Sequence, residues 1–156
     1  MPKLSAGILL YRRSGDGLEV LIAHMGGPFW ARKDARAWSI PKGEHTELET
    51  PLAAAEREFA EELGSPVPPG GEYLELGELR VSSGKRLTVF AREAEFDAEA
   101  ITPGTFELEW PPRSGRFEAF PEVDRAEWMD VDTAAEKLVK GQVGFLGRLV
   151  EGLEGS

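Results

Sequence analysis

The chain has no cysteine among its 156 residues. Disulfides, thiol catalysis and zinc sites built on thiolates are therefore excluded. Long apolar runs are also missing: the run at residues 6–11 is too short to cross a membrane or to form a usual secretory core, and two arginines follow it. We expect a soluble, cytoplasmic protein with no membrane partner.

Basic residues are scarce, since 18 Lys and Arg stand against 28 Asp and Glu, which gives a formal net charge of -10. A broad nucleic-acid surface needs a basic patch that displaces counterions from phosphates, so we expect no extended nucleic-acid partner. A small anionic substrate remains compatible, because metal ions and a few local basic groups can set the field in a cleft. Such basic groups precede the most acidic segment, at Arg32, Lys33, Arg36 and Lys42.

Histidine occurs only twice, and no serine-histidine arrangement for nucleophilic catalysis is evident. His24 is interpreted as a surface or packing residue. The same interpretation is favoured for His45, although its position close to the acidic segment would allow it to approach a substrate.

The length suits one domain over residues 1–156, large enough to bury a core without disulfides. Short, aliphatic-rich runs bounded by turn residues predict strands at residues 3–12, 18–25, 38–40, 73–81, 87–94 and 126–131. The first two are expected to pair as a hairpin around residues 14–17, and the two at 73–94 around residues 82–85. Residues 97–120 are expected to lack a regular element, and residues 133–153 to form a helix with a possible break near Gly141 and Gly144.

A helix is predicted over Pro51–Leu63, with Thr50 as N-cap and Gly64 as its stop. At about 100° per residue, Glu58, Glu61 and Glu62 share one face of this helix, opposite an apolar stripe. Their mutual repulsion would be relieved by a divalent cation such as Mg²⁺ or Mn²⁺, which takes oxygen ligands. Taken alone, the same glutamates are more often a solvated helix surface.

The surroundings of the acidic face change this balance, because the whole segment follows a spaced pattern. It requires Gly, five residues, Glu, seven residues, Arg-Glu, an apolar residue, any residue, Glu-Glu, any residue and Gly. The matching positions are Gly43, Glu49, Arg57, Glu58, Phe59, Glu61, Glu62 and Gly64. The segment resembles the Nudix box, with one departure at Ser65, where the pattern has an aliphatic residue and where Val67 supplies a similar packing group.

This resemblance implies an α+β fold of the Nudix type, an α/β/α sandwich with a mixed β-sheet between helices. It implies that Glu58 and Glu62 are the main ligands of Mg²⁺ or Mn²⁺, with Glu61 as a further ligand or as the group that orients the attacking water. The backbone carbonyl of Lys42 would complete the metal shell. Arg57 would orient Glu58, with Glu49 as a further partner, while Gly43 and Gly64 serve structural roles.

Residues outside the box are assigned more openly. A general base is expected from a later loop, where Glu122 is favoured over Glu118. The alternative, that Glu122 is only a solvated surface residue, has about equal weight. Lys42 and Arg36 are candidates for substrate binding, and so is the ring of Trp38 by stacking on a nucleobase. For Trp38, as for Trp30, core or loop packing is the commoner role.

The favoured function is a metal-dependent nucleoside polyphosphate pyrophosphohydrolase that cleaves a phosphoanhydride by water attack. Its partner would be a small substrate containing a nucleoside diphosphate linkage, and the protein would be a monomer or homodimer. Alternatives are hydrolysis of a dinucleoside polyphosphate, a nucleotide sugar or a diphosphoinositol polyphosphate, or a non-catalytic ligand-sensing module. A proline typical of ADP-ribose enzymes is replaced by Leu79, and a tyrosine of some dinucleoside polyphosphate enzymes is missing from residues 80–82.

Overall fold

The computed structural model describes residues 2–15 and 17–155. Across these residues the strands are β1 Lys3–Ser14, β2 Gly17–Met25, β3 Trp38–Ser39, β4 Lys42–His45, β5 Leu74–Ser82, β6 Lys85–Glu93, β7 Thr105–Glu109, β8 Phe117–Pro121 and β9 Val123–Asp130. The helices are α1 Pro51–Leu63, α2 Val131–Lys137 and α3 Gly144–Glu154, with short 3₁₀ turns at Ala98–Ala100 and Lys140–Gln142. None of these helices is long and apolar enough to cross a membrane.

One mixed sheet forms the centre of the fold, with β3, β2, β1, β6 and β5 in spatial order. The pairing of β1 with β6 is parallel, and the other pairings in this sheet are antiparallel. Along its other edge, β1 divides between two partners: residues 4–7 pair with β4 and residues 11–14 with β2. β2 therefore separates from β1 beside the amino-terminal half of β1, and β4, which contains the first glycine of the box, pairs there instead.

Two apolar layers cover the two faces of this sheet, because the central residues of β1 and β2 are buried on both sides and are mostly apolar. On one face, Ala55, Phe59 and Leu63 of α1 pack against alternate β1 side chains that include Ile8. On the other face lie the apolar residues of α2 and α3, among them Ala134, Phe145 and Leu149. The expected α/β/α sandwich with a mixed sheet is thus confirmed.

Most predicted elements are present, but the prediction that residues 97–120 lack a regular element is wrong. Pro111, Pro112 and Gly115 do interrupt the chain, yet β7 and β8 on either side of them pair as an antiparallel hairpin. This hairpin forms its own two-stranded sheet. The breakers occupy the connection and leave the alternating segments free to pair, a pattern typical of hairpins.

Smaller differences concern the boundaries. Residues 42–45 form β4, which is not among the predicted strands, and β9 ends at Asp130 because Val131 already begins α2. The possible break in the last helix is real: α2 stops at Lys137, and α3 begins only at Gly144. The predicted first turn includes Asp16, which lies outside the described residues.

Candidate active site

Helix α1 has the boundaries that its end residues predict. The Thr50 hydroxyl accepts a hydrogen bond from Ala53 N–H at 3.2 Å, and Pro51 occupies the first helical position. At the other end Gly64 adopts φ 84°, a left-handed conformation that favours glycine, and its N–H donates to the Ala60 carbonyl. The Nudix-box glutamates therefore lie on a helix that is fixed at both ends.

Arg57 is the centre of an ion-pair network on α1. Its Nε and Nη2 bind both oxygens of the Glu49 carboxylate, at 2.8 and 2.7 Å. Its Nη1 donates to Glu58 Oε1 at 2.8 Å and to Glu61 Oε2 at 3.2 Å. The bidentate pair with Arg57 lowers the pKa of Glu49, as expected for a planar guanidinium and carboxylate. The contacts predicted for Arg57 are thus present, and they fix one oxygen of Glu58.

Gly43 lets the Glu58 carboxylate approach strand β4 closely. A Cβ atom at position 43 would overlap the carboxylate of Glu58, so any other residue would force this side chain away. Glu58 is 14% exposed, and burial raises the pKa of its carboxyl while Arg57 opposes the rise. Steric exclusion of a side chain by the Glu58 carboxylate therefore explains why the box has glycine at position 43.

Glu62 is the most deeply buried carboxyl of this group, with 9% of its surface exposed. Burial raises its pKa to about 8, and the charges of Glu122 and Glu58 add to the rise. The charge of Lys42 and a backbone hydrogen bond from the same residue act in the opposite direction. The folded chain thus holds a desolvated carboxyl against two further carboxylates, an arrangement that an added cation would relieve.

Backbone hydrogen bonds bring Glu122 to this group from a distant part of the chain. The Gly104 N–H donates to the Glu61 carbonyl at 3.2 Å, and the Glu122 N–H donates to the Gly104 carbonyl at 2.8 Å. The Glu122 carbonyl in turn accepts from Gly26 N–H at 2.9 Å. The charge of the Glu122 side chain raises the pKa of both Glu58 and Glu62, so the three carboxylates interact electrostatically. Glu118 lies on β8, where its partner is Leu108.

The residues present fit a divalent cation by the chemistry of their donors. Glu58, Glu62 and Glu122 offer hard carboxylate oxygens, the ligands that Mg²⁺ and Mn²⁺ prefer, and a cation would offset the burial of Glu62. Among the described residues, no three acidic or histidine groups already converge on a single point. A cation held here would therefore draw the carboxylates together or complete its coordination with water and substrate oxygens.

Two predicted substrate-binding residues are corrected by the structure. Trp38 is 1% exposed in the layer that contains α2 and α3, opposite α1, and its indole N–H donates to Asp34 at 3.0 Å. Its ring has no free face for a nucleobase. Arg36 uses its guanidinium to bind the carbonyls of Ala135 and Leu138 at 2.7 and 3.1 Å, so it anchors the end of α2. None of these contacts involves the glutamates of α1.

Lys42 lies on β4, opposite Gly7 of β1, and its charge acts on Glu62. The suggestion that Val67 replaces the missing aliphatic group at Ser65 agrees with the structure, since Val67 packs against the apolar layer of α1. Gly104, which connects Glu61 to Glu122 through backbone hydrogen bonds, was not predicted from the sequence. Its only signal was the Pro-Gly pair at residues 103–104, which marks a turn and predicts no partner.

This fold and this acidic helix define a class of protein, and the comparisons with known families name it. The NUDIX domain model matches residues 1–149, and the chain belongs to the Nudix hydrolase family. No curated protein matches the chain.

Solved structures with the same fold include the C. elegans Ap4A hydrolase binary complex, with a TM-score of 0.63, 17% identity and coverage of 99% of both chains. The NUDIX domain of Shewanella oneidensis NrtR, complexed with ADP ribose, gives a TM-score of 0.65 at 16% identity and covers 98% of this chain and 89% of its own. The Nudix hydrolase RenU from M. Smegmatis gives 0.60 at 20% identity, covering 97% and 85%.

Proposed function

We propose that this protein is a hydrolase that uses Mg²⁺ or Mn²⁺ to cleave a phosphoanhydride bond of a nucleoside polyphosphate by attack of water. The observation that supports this most strongly is the pair of desolvated carboxyls of Glu58 and Glu62, whose pKa values are raised by burial and further by the charge of Glu122. A folded chain retains such a costly arrangement where a cation and a phosphate offset it, which makes a functional site the natural explanation.

Each residue of the box has a role in this proposal. Glu58 and Glu62, joined by Glu61 and by the Lys42 carbonyl, would hold the cation, which when bound neutralises phosphate oxygens and lowers the pKa of water. Arg57 holds Glu58 in a fixed orientation through their hydrogen bond of 2.8 Å. Such a partner keeps a ligand carboxylate in place without touching the substrate.

Glu122 is proposed as the general base that accepts the proton of the attacking water. It is exposed, in contrast to Glu62, so water reaches it, and its backbone is held by Gly104 and Gly26. Lys42, whose charge acts on Glu62, is proposed to contact a substrate phosphate. Phosphoryl transfer needs mainly positioning and charge stabilisation, so no covalent nucleophile is required.

The substrate is tested with a panel of nucleoside triphosphates, dinucleoside polyphosphates, nucleotide sugars, ADP-ribose and diphosphoinositol polyphosphates, each with Mg²⁺, Mn²⁺ or chelator. We expect metal-dependent release of phosphate or pyrophosphate from the nucleoside triphosphates. Release from another class would keep the chemistry and change the substrate. Tight nucleotide binding without any turnover would identify a ligand-sensing module instead.

A further inference from the structure

An exposed aromatic ring lies at the tip of a turn between β2 and β3. The Trp30 N–H donates to the Gly27 carbonyl at 3.3 Å, which closes a four-residue turn with Pro28 and Phe29 at its centre. Phe29 is 61% exposed, although it is a large apolar residue. The position of this ring is set by the turn and not by burial.

Two neighbours hold the ring of Phe29 in place while much of it stays in water. The ammonium of Lys33 lies 3.5 Å from the ring centroid, a cation-π contact that covers one face. The indole of Trp30 meets the ring almost perpendicularly, at 86° and 4.9 Å between centroids. The ring thus has defined neighbours on the protein side and a surface left open.

The loop that carries this ring is anchored to the body of the protein. His24 is fully buried, and its Nε2 contacts the Lys33 carbonyl at 2.6 Å while its Nδ1 contacts the Asp124 carboxylate at 2.9 Å. The Lys33 N–H also donates to the Trp30 carbonyl at 2.9 Å. A single exposed apolar residue is ordinary on a protein surface, but an anchored one is preorganised for contact.

The turn begins beside the proposed catalytic centre. Gly26 donates its N–H to the Glu122 carbonyl at 2.9 Å, and the ring of Phe106 from the β7–β8 hairpin lies against Gly27. Phe29 follows Gly26 by three residues, so their Cα atoms lie at most about 11 Å apart even for a fully extended chain. A nucleotide with its phosphates at the carboxylates can bridge a distance of this order to its own base.

We propose that the open surface of Phe29 is the stacking platform for the aromatic base of the substrate, with Lys33 fixing the ring from behind. This inference rests on the proposed function, since it assigns the base of the substrate whose phosphates the carboxylates bind. Stacking accepts every base because each has a π-face, so the platform selects for the presence of a base and not for its identity.

The first test is kinetic and uses the parent protein, Phe29→Ala and Phe29→Trp with the four ribonucleoside triphosphates. Loss of one stacked base corresponds to about a 5- to 150-fold rise in KM for Phe29→Ala, similar for all four bases, with kcat changed much less. Phe29→Trp, which keeps an aromatic ring at this position, is expected to have a KM close to that of the parent. Phe117→Ala is the matched control, because Phe117 is 66% exposed on the β7–β8 hairpin and undergoes the same chemical change.

The second test measures binding and does not need turnover. Calorimetric titrations compare AMP with ribose 5-phosphate, which lacks the base. The parent and Phe117→Ala are expected to prefer AMP, and Phe29→Ala to bind both ligands equally. If the parent hydrolyses nothing but shows this pattern, the proposed function fails and the platform stands.

The opposite result is equally clear. If the parent hydrolyses nucleotides while Phe29→Ala keeps the preference for AMP, the hydrolase stands and the platform is overturned. A parent without preference for AMP also overturns the platform. So does a Phe29→Ala variant that keeps the preference but changes its oligomeric state in solution, which would assign Phe29 to a protein contact.

Discussion

Replacing Glu62 by Gln is expected to stabilise the metal-free protein at neutral pH while abolishing its proposed activity. Burial raises the pKa of this carboxyl from its ordinary value of 4.5 to about 8 in the folded state. An acid that is weaker in the folded than in the unfolded chain binds its proton more tightly when folded. The stability of the parent should therefore fall as the pH rises from about 4.5 to 8.

The size of this effect follows from the shift, at about 1.4 kcal/mol for each pKa unit. Relative to acid pH, the shift lowers the folding stability by roughly 4 kcal/mol at pH 7.5 and about 1 kcal/mol at pH 5.0, as upper limits, because folding must return a proton to a carboxyl that is ionised in the unfolded chain. Local rearrangement reduces both values, so we expect the free energy of unfolding of Glu62→Gln to exceed that of the parent by about 1 to 3 kcal/mol at pH 7.5. Near pH 5 the difference should be small.

Urea denaturation followed by tryptophan fluorescence measures this free energy, with chelator present and at both pH values. Glu61→Gln is the control, because Glu61 is the adjacent glutamate but its side chain is 58% exposed. Adding Mg²⁺ should stabilise the parent more than Glu62→Gln. If metal-free Glu62→Gln is no more stable than the parent at pH 7.5 and both show the same pH slope, Glu62 does not carry the burial cost assigned to it.

Three further predictions concern turnover. Glu58→Gln should lower metal-dependent turnover by several orders of magnitude with an unchanged circular dichroism spectrum, and normal turnover at saturating Mg²⁺ would contradict the metal-ligand role. Arg57→Lys should reduce activity or metal affinity by roughly 10- to 100-fold, because an ammonium cannot bind Glu49 bidentately, and calorimetric metal titration checks this. Glu122→Gln should impair kcat more than Glu118→Gln with little effect on thermal stability, and the reverse order would transfer the role of base to Glu118.

Local signals were sufficient for the acidic helix. Thr50, Pro51 and Gly64 each act on the backbone of their own turn, so both ends of α1 could be predicted without knowledge of the rest of the fold. The spacing of the glutamates likewise fixes which of them share a face. The resemblance to the Nudix box is confirmed by the family comparison.

Signals that depend on distant partners were less informative. Trp38 belongs to a strand of only two residues, too short to reveal by alternation which face of the sheet it joins. The guanidinium of Arg36 binds carbonyls of α2, about a hundred residues further along the chain. The β7–β8 hairpin was missed because Pro and Gly residues were interpreted as breaking the whole segment and not as its connection.

The split pairing of β1 has a consequence for the order of folding. The box segment and β4 are close in sequence, but β1 reaches β6 across half the chain, and Glu122 arrives only when β9 has paired with β2. Loops of this length close slowly, and contacts of high sequence separation form late. The acidic helix can therefore form early, whereas the electrostatic conflict among its carboxylates and Glu122 arises only near the end, once enough packing exists to sustain it.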